Sequence, residues 1–346
     1  MRLYVGTYTD KTESEGIYTL DFDRKTDSFH IISTARSRNP SFLAKRENSL
    51  YAASELSETG RIERFVIEED RSLRHADSVE FPGASCCHAT AHPNGLSLYA
   101  ANYSSGEIAG YALLQDGGFG EQISYIRFEG SGPDKHRQNG PHAHSVNISP
   151  NGKHLVAADL GTDKLMVFDI DQNSGALTAN PTNPIVNLSP GEGPRHLVFH
   201  PQVNRLYAVT ELLNNVVVFE YNPATGEITQ RQSLPVLPET FSSKSISADI
   251  HLSKDCRFLY ASNRGWDGIT SYAVNDAGDL SSAEHCEGFG TTPRNFAISN
   301  DGDYFFIAYQ DSDSVAAVFR DKKTGGMKGL AAVISIPSPI CVIEDL

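Results

Sequence analysis

The sequence is short of positive charge. Its 346 residues carry 29 basic and 43 acidic side chains, a formal net charge of −14. Nucleic acids and anionic membrane surfaces are recognised through basic footprints, so this balance argues against both as partners. Long hydrophobic runs are also missing. No stretch approaches the roughly 20 apolar residues that cross a bilayer. The amino terminus, MRLYVGTYTD, turns polar too early for a signal peptide. The five cysteines (Cys86, Cys87, Cys256, Cys286 and Cys341) are odd in number and lack zinc-site spacing. They read as reduced thiols, which predicts a cytoplasmic protein. Sustained helical periodicity is absent as well, and this tells against a barrel of alternating strands and helices.

What is present is a repeat. Leu3-Tyr4-Val5-Gly6, Leu50-Tyr51-Ala52-Ala53, Leu98-Tyr99-Ala100-Ala101, Leu155-Val156-Ala157-Ala158, Leu206-Tyr207-Ala208-Val209, Leu259-Tyr260-Ala261-Ser262 and Phe305-Phe306-Ile307-Ala308 recur at about fifty residues. Most copies follow a turn signal, such as His92-Pro93-Asn94-Gly95 or His200-Pro201, and precede a third apolar run. A second Gly/Asn/Asp-rich turn and a weaker fourth run complete most units. Four short strands with turn chemistry at each bend describe a propeller blade. The first copy has almost nothing before Leu3, whereas Pro337 to Glu344 resemble a spare first strand. The expected fold is therefore all-β: residues 1–346 form a single seven-bladed β-propeller domain, closed by the C-terminal strand joining the first blade.

The stretch from Gly193 to Leu212, GPRHLVFHPQVNRLYAVTEL, reads as a hairpin turning at Pro201 to Asn204. Its two ends meet, which sets Arg195 opposite roughly Glu211 with His196 adjacent. Residues five before each turn-signal His or Ser (Cys87, His144, Arg195, Ala248, Arg294) should share one mouth of the ring. So should residues four after each anchor (Tyr8, Glu55, Tyr103, Leu160, Glu211, Arg264, Gln310). Copies four to seven thus collect His144, Arg195, Glu211, Arg264 and Arg294, with Asn263 and Asn295 beside them. Such a cluster in an acidic protein suits a small anionic or carbonyl-bearing ligand. The widest repeat spacing marks an insertion, Gly130 to His142, whose Lys135, His136 and Arg137 are placed to close over that ligand.

The plainer readings are set beside these. One Arg–Glu pair across a hairpin is often only a cross-strand contact. Several arginines at equivalent places around one axis repel one another, and a binding site explains them better. His92 and His200 lie by turns on the far face and read as structural. His142 and His144 make half a metal site, but no carboxylate is clearly grouped with them, so no metal and no other cofactor is expected. His251 faces either the channel or the core.

At these residues the sequence resembles a known family, the propeller-type lactonases, notably the seven-bladed bacterial 6-phosphogluconolactonases. The resemblance rests on Tyr4 to Thr9, Thr90 to Tyr103, Pro141-His-Ala-His144, Gly193 to Pro201, Thr210-Glu-Leu212, Ala248-Asp-Ile-His251, Asn263-Arg264 and Pro293-Arg294, and it spans the whole chain. A second branch is similar to fungal carboxy-muconate cyclases. Its proposed site residues, a His, two Arg and a Glu, match His144, Arg195, Arg264 and Glu211.

The resemblance implies hydrolysis of a sugar-acid lactone. Glu211 or His144 would act as general base on water, while Arg195 and Arg264 would stabilise the oxyanion. Arg294, His196 and Arg137 would hold a phosphate, and His251 and Asn263 would also contact substrate. The alternatives are a cyclase or hydrolase for another organic-acid lactone, and a non-enzymatic interaction platform. The latter predicts a wide apolar patch. A monomer or weak homo-oligomer is expected.

Overall fold

A computed structural model describes residues 1–345, so Leu346 of the expected domain lies outside the described residues. Seven antiparallel sheets follow one another along the chain. Blades 2 to 7 occupy residues 40–81, 86–127, 143–187, 194–235, 246–287 and 293–335. Blade 1 combines residues 2–36 with the last strand, Pro339–Glu344, which pairs antiparallel with Arg2–Thr7. The ring therefore closes with its two ends hydrogen-bonded, and the inner edge of blade 1 is covered. The one helical element among the described residues is a short turn, Gln310–Ser312. No helix is long and apolar enough to cross a membrane.

The tyrosine of the repeat has a specific task. Tyr51, Tyr99 and Tyr207 are fully buried. Their hydroxyls donate to the carbonyls of Gly117, Gly175 and Gly278 at 2.7, 2.6 and 2.7 Å. Each glycine lies in the last turn of the next blade, at a positive φ that a side chain would strain. The anchor thus fills the gap between blades with its ring and bolts them together with its hydroxyl. Apolar packing follows the same plan. Seven clusters of buried side chains each join two neighbouring blades, as Val156 and Leu165 of blade 4 do with Leu206 and Val217 of blade 5. His92 and His200 are also structural. The Nε2 of His92 pairs with the carbonyl of Gly152 at 2.8 Å, and His200 Nδ1 accepts the backbone N–H groups of Gln202 and Val203, both at 3.1 Å.

Two departures from a regular blade stand out. The outer strand of blade 4 is split into Leu177–Ala179 and Ile185–Asn187. Pro181 and Pro184 between them have no N–H to give the ladder. More important for the site, every innermost strand carries a register shift near its start. The ladder passes from Pro194↔Thr210 directly to His196↔Val209, leaving Arg195 as the extra residue of a β-bulge. Ser41, Cys87, His144 and Arg294 stand at the same place in blades 2, 3, 4 and 7. A bulge re-aims the unpaired side chain and twists the strand locally.

Candidate active site

The bulges deliver the chemistry. Cys87, His144 and Arg294 line a cavity of about 320 Å³, together with Tyr8, Glu55, Tyr103, Glu211 and Arg264, which follow or end second strands. Arg195 lies just beneath it. The two positional series from the sequence meet at one mouth, although Arg195 pairs with no residue of the ladder. Its Nε nevertheless reaches Glu211 Oε2 at 2.9 Å. The loop carrying Glu211 is shaped by Gly193 at φ +60, whose carbonyl accepts the Glu211 N–H at 2.8 Å. A Cβ there would sit 2.7 Å from Leu212 Cγ.

Glu211 is the electrostatic centre. Its side chain is 3% exposed and meets three guanidinium groups: Arg195, Arg264 Nη2 at 2.8 Å, and Arg137 on its other oxygen. Burial by itself would raise its pKa, but Arg264, Arg195 and Arg137 outweigh burial and hold it at about 2. His144 Nε2 stands 3.8 Å from the same carboxylate. Burial, followed by Arg195 and His196, pushes His144 well below its usual range, so the imidazole is neutral at pH 7. Burial also lowers Arg264, to about 10, against the opposing pull of Glu211.

Arg137 comes from the insertion. Asp134 accepts its backbone N–H, and Gln138 ties the loop to the Leu160 carbonyl at 2.9 Å. Arg137 Nη2 donates to Tyr103 Oη at 3.1 Å and to Glu211. The insertion so spans from blade 3 to blade 5 and roofs part of the cavity. Lys135 and His136 are exposed and do not join it. Beyond the roof lies an outer bay of about 800 Å³, shared by Arg137, Arg264 and Arg294 and also lined by Asn214, Lys244 and Gln310. Sequence reasoning did not single out Lys244, which sits in the loop between blades 5 and 6.

Four expected contacts fall elsewhere. Arg195 forms the floor: its Nη1 donates to the Ala248 carbonyl and stands 3.2 Å from His196 Nε2. It therefore braces Glu211 from below rather than lining the cavity. His196 lies under the floor, with Nδ1 2.7 Å from Asp249 Oδ1. Asn263 turns into the blade interface, donating to Asn214 Oδ1 at 2.8 Å, because neighbouring strand residues face opposite ways and Arg264 takes the cavity side. His251 stands five residues along the channel-lining strand from Ile246, roughly 15 Å at strand rise. It lines a different pocket with Val198, Ser253 and Lys254, toward the opposite face. Its Nε2 bonds Asp249 Oδ2 at 2.7 Å.

No group of three or more His, Cys, Asp or Glu able to hold a metal ion occurs among the described residues. His142, one half of the metal pair weighed from sequence, stacks on Tyr103 at 4.6 Å, and its Nδ1 pairs with the Tyr103 carbonyl.

The chain matches known proteins over nearly its full length. A family model described as "Lactonase, 7-bladed beta-propeller" covers residues 2–344. The chain belongs to this lactonase family. A 6-phosphogluconolactonase of Bacillus subtilis is 32% identical over 344 residues, covering 98% of this chain and 97% of the relative. Among solved structures, a putative 6-phosphogluconolactonase from Bacteroides fragilis superposes with a TM-score of 0.91 at 34% identity, covering 99% and 97% of the two chains. A periplasmic gluconolactonase from Pseudomonas aeruginosa does so with a TM-score of 0.92 at 30% identity, covering 99% and 98%. In this fold the bulged Arg294 and the glutamates Glu55 and Glu211 share one mouth.

Proposed function

We propose that the protein hydrolyses 6-phosphogluconolactone to 6-phosphogluconate, a step of the pentose phosphate pathway. One observation carries this reading. Four guanidinium groups, those of Arg137, Arg195, Arg264 and Arg294, are gathered around two carboxylates, Glu55 and Glu211. An excess of positive charge is thereby gathered in and just beneath one cavity of a protein whose net charge is −14. A substrate with a phosphate and a developing oxyanion supplies the missing negative charge.

In this reading the lactone carbonyl faces Arg264 and Arg294, which stabilise the charge that forms on its oxygen. The phosphate extends toward the outer bay, where Arg137 and Lys244 receive it. Arg195 and Glu211 act on each other: the carboxylate holds three guanidinium groups in place, and Arg195 keeps the carboxylate from turning. His144 presents a neutral ring nitrogen to the substrate. Glu211 is a weak proton acceptor because three cations stabilise its ionised form, and Arg195 and Arg294 oppose a proton on His144. A strained cyclic ester opens without a covalent nucleophile. Five free cysteines support a cytoplasmic location.

The second reading is an unphosphorylated sugar lactone, favoured by likeness to the Pseudomonas gluconolactonase. Purified wild type, Arg195→Ala and Glu211→Gln are assayed on 6-phosphogluconolactone and on gluconolactone. The first reading expects preference for the phosphorylated lactone, inhibition by inorganic phosphate, and loss of at least a hundredfold in kcat/KM in both variants. Folded variants that stay near wild type would remove the site assignment. Preference for gluconolactone without phosphate inhibition would select the second reading.

A further inference from the structure

Lactone hydrolysis needs a group with an open lone pair to take the proton of the attacking water. The cavity wall offers one besides the two weighed above. Glu55 ends the second strand of blade 2, Ser49–Glu55, and follows Tyr51 by the interval at which Glu211 follows Tyr207. The two glutamates are thus counterparts in the repeat, and both line the same cavity. Their surroundings differ sharply. Glu211 is enclosed by three guanidinium groups on both oxygens. Glu55 has one cation nearby, Arg294 Nη2 at 3.8 Å from Oε2. That same oxygen accepts the Tyr8 hydroxyl at 2.7 Å. Its Oε1 accepts no hydrogen bond among the described residues, and the side chain is 22% exposed.

The carboxylate is also well held. Arg294 Nη2 donates to Tyr8 Oη at 2.9 Å, and its guanidinium carbon lies 5.4 Å from the centre of the Tyr8 ring. The backbone of Glu55 is pinned on both sides by Asn39: its N–H donates to the Asn39 carbonyl at 2.9 Å, and its carbonyl accepts Asn39 Nδ2 at 3.2 Å. Blades 1, 2 and 7 thus converge to fix one carboxylate that lines the cavity and keeps one oxygen unbonded among the described residues.

We propose that Glu55 is the general base of the reaction and that Tyr8 is its positioning residue, an inference that rests on the lactonase reading above. As the water oxygen bonds to the lactone carbonyl carbon, one water proton passes to Glu55 Oε1 and the C=O electron pair moves onto the carbonyl oxygen. On collapse that pair re-forms C=O and the bond to the ring oxygen breaks. The ring oxygen leaves with the bonding electrons and takes the proton back from Glu55. The new carboxylic acid ionises to solvent, and Glu55 is again a carboxylate. Arg264 and Arg294 stabilise the negative charge on the carbonyl oxygen, and Glu211 holds Arg264 in place.

The test compares wild type, Glu55→Gln, Glu55→Asp and Tyr8→Phe on 6-phosphogluconolactone and gluconolactone across pH, after subtraction of spontaneous hydrolysis, with thermal melts to establish folding. Glu55→Gln is expected to lose about 10²–10⁴-fold in kcat, with KM within about threefold, and to lose the acidic limb of its kcat profile. Glu55→Asp keeps that limb at reduced kcat. Tyr8→Phe removes a hydrogen bond to the ionised carboxylate, so its acidic limb moves to higher pH. Folded Glu55→Gln with kcat within threefold of wild type, or with its acidic limb intact, overturns the proposal while the lactonase reading stands. The same holds if Glu55→Asp loses the limb. A wild type that opens neither lactone overturns both.

Discussion

Replacing Glu211 by glutamine is the sharpest perturbation of this protein. The substitution preserves shape, removes one buried charge and leaves three guanidinium groups facing each other. Its magnitude follows from the site. Glu211 has a folded-state pKa of about 2 against an ordinary 4.5, and its side chain is 3% exposed, so solvent screens it little. At about 1.4 kcal/mol per tenfold, the fold favours the ionised form by about 3 kcal/mol. Removing one partner of a buried ionic cluster falls in the same range, about 3–5 kcal/mol. With an unfolding entropy of about 2 cal/mol/K per residue over the whole chain, a loss of about 3 kcal/mol lowers Tm by about 4 °C. The sign of the pH dependence is also determined. A depressed carboxylate contributes stability that is fully present above about pH 4.5 and drains away as pH falls toward 2. The gap between wild type and Glu211→Gln, followed by calorimetry, therefore narrows from pH 7 to pH 3. A gap under 1 °C at pH 7, or one that does not change with pH, refutes the claim that Glu211 binds the guanidinium cluster together.

Other perturbations separate the site from the scaffold. Tyr99→Phe strands the buried carbonyl of Gly175 and is expected to cost about 1–3 kcal/mol in denaturant unfolding, with lactonase activity unchanged. Arg137→Ala frees the insertion from Glu211; steady-state kinetics on 6-phosphogluconolactone should show KM raised at least fivefold with a smaller change in kcat. Asp249→Asn breaks a buried carboxylate shared by His196, His251 and Asn295, and is expected to lower stability by about 3 kcal/mol in the same unfolding measurement.

The legible parts of this chain are those written in local chemistry. The Leu-Tyr-Ala motif announces the second strands of blades 2, 3 and 5, where the tyrosine both fills an inter-blade gap and hydrogen-bonds across it. His200 before Pro201 reads correctly as a turn device, since its ring accepts the turn's own N–H groups. The meeting of Arg195 and Glu211 follows from hairpin geometry alone. The bulges do not. A ladder counted in perfect register puts Arg195 in a pair, whereas the extra residue in each inner strand leaves it unpaired. His144 and Arg294 hold the same bulge position and line the cavity, while Arg195 sits at its floor. Glu55 and Tyr8 were visible as members of the positional series, but nothing in their spacing distinguished them from residues that merely recur.

By itself the sequence determined the number of blades, the closure of the ring by the last strand, and the gathering of cationic and acidic residues at one mouth. These depend on periodicity and turn chemistry, which act over a few residues and repeat seven times. Tertiary structure decided which members of that gathering touch open space, which brace them from beneath, and which carboxylate is saturated by cations. Those outcomes depend on side chains from five or more blades meeting at one axis. The charge state of Glu211 is set by guanidinium groups 16, 53 and 74 residues away, so no local reading contains it.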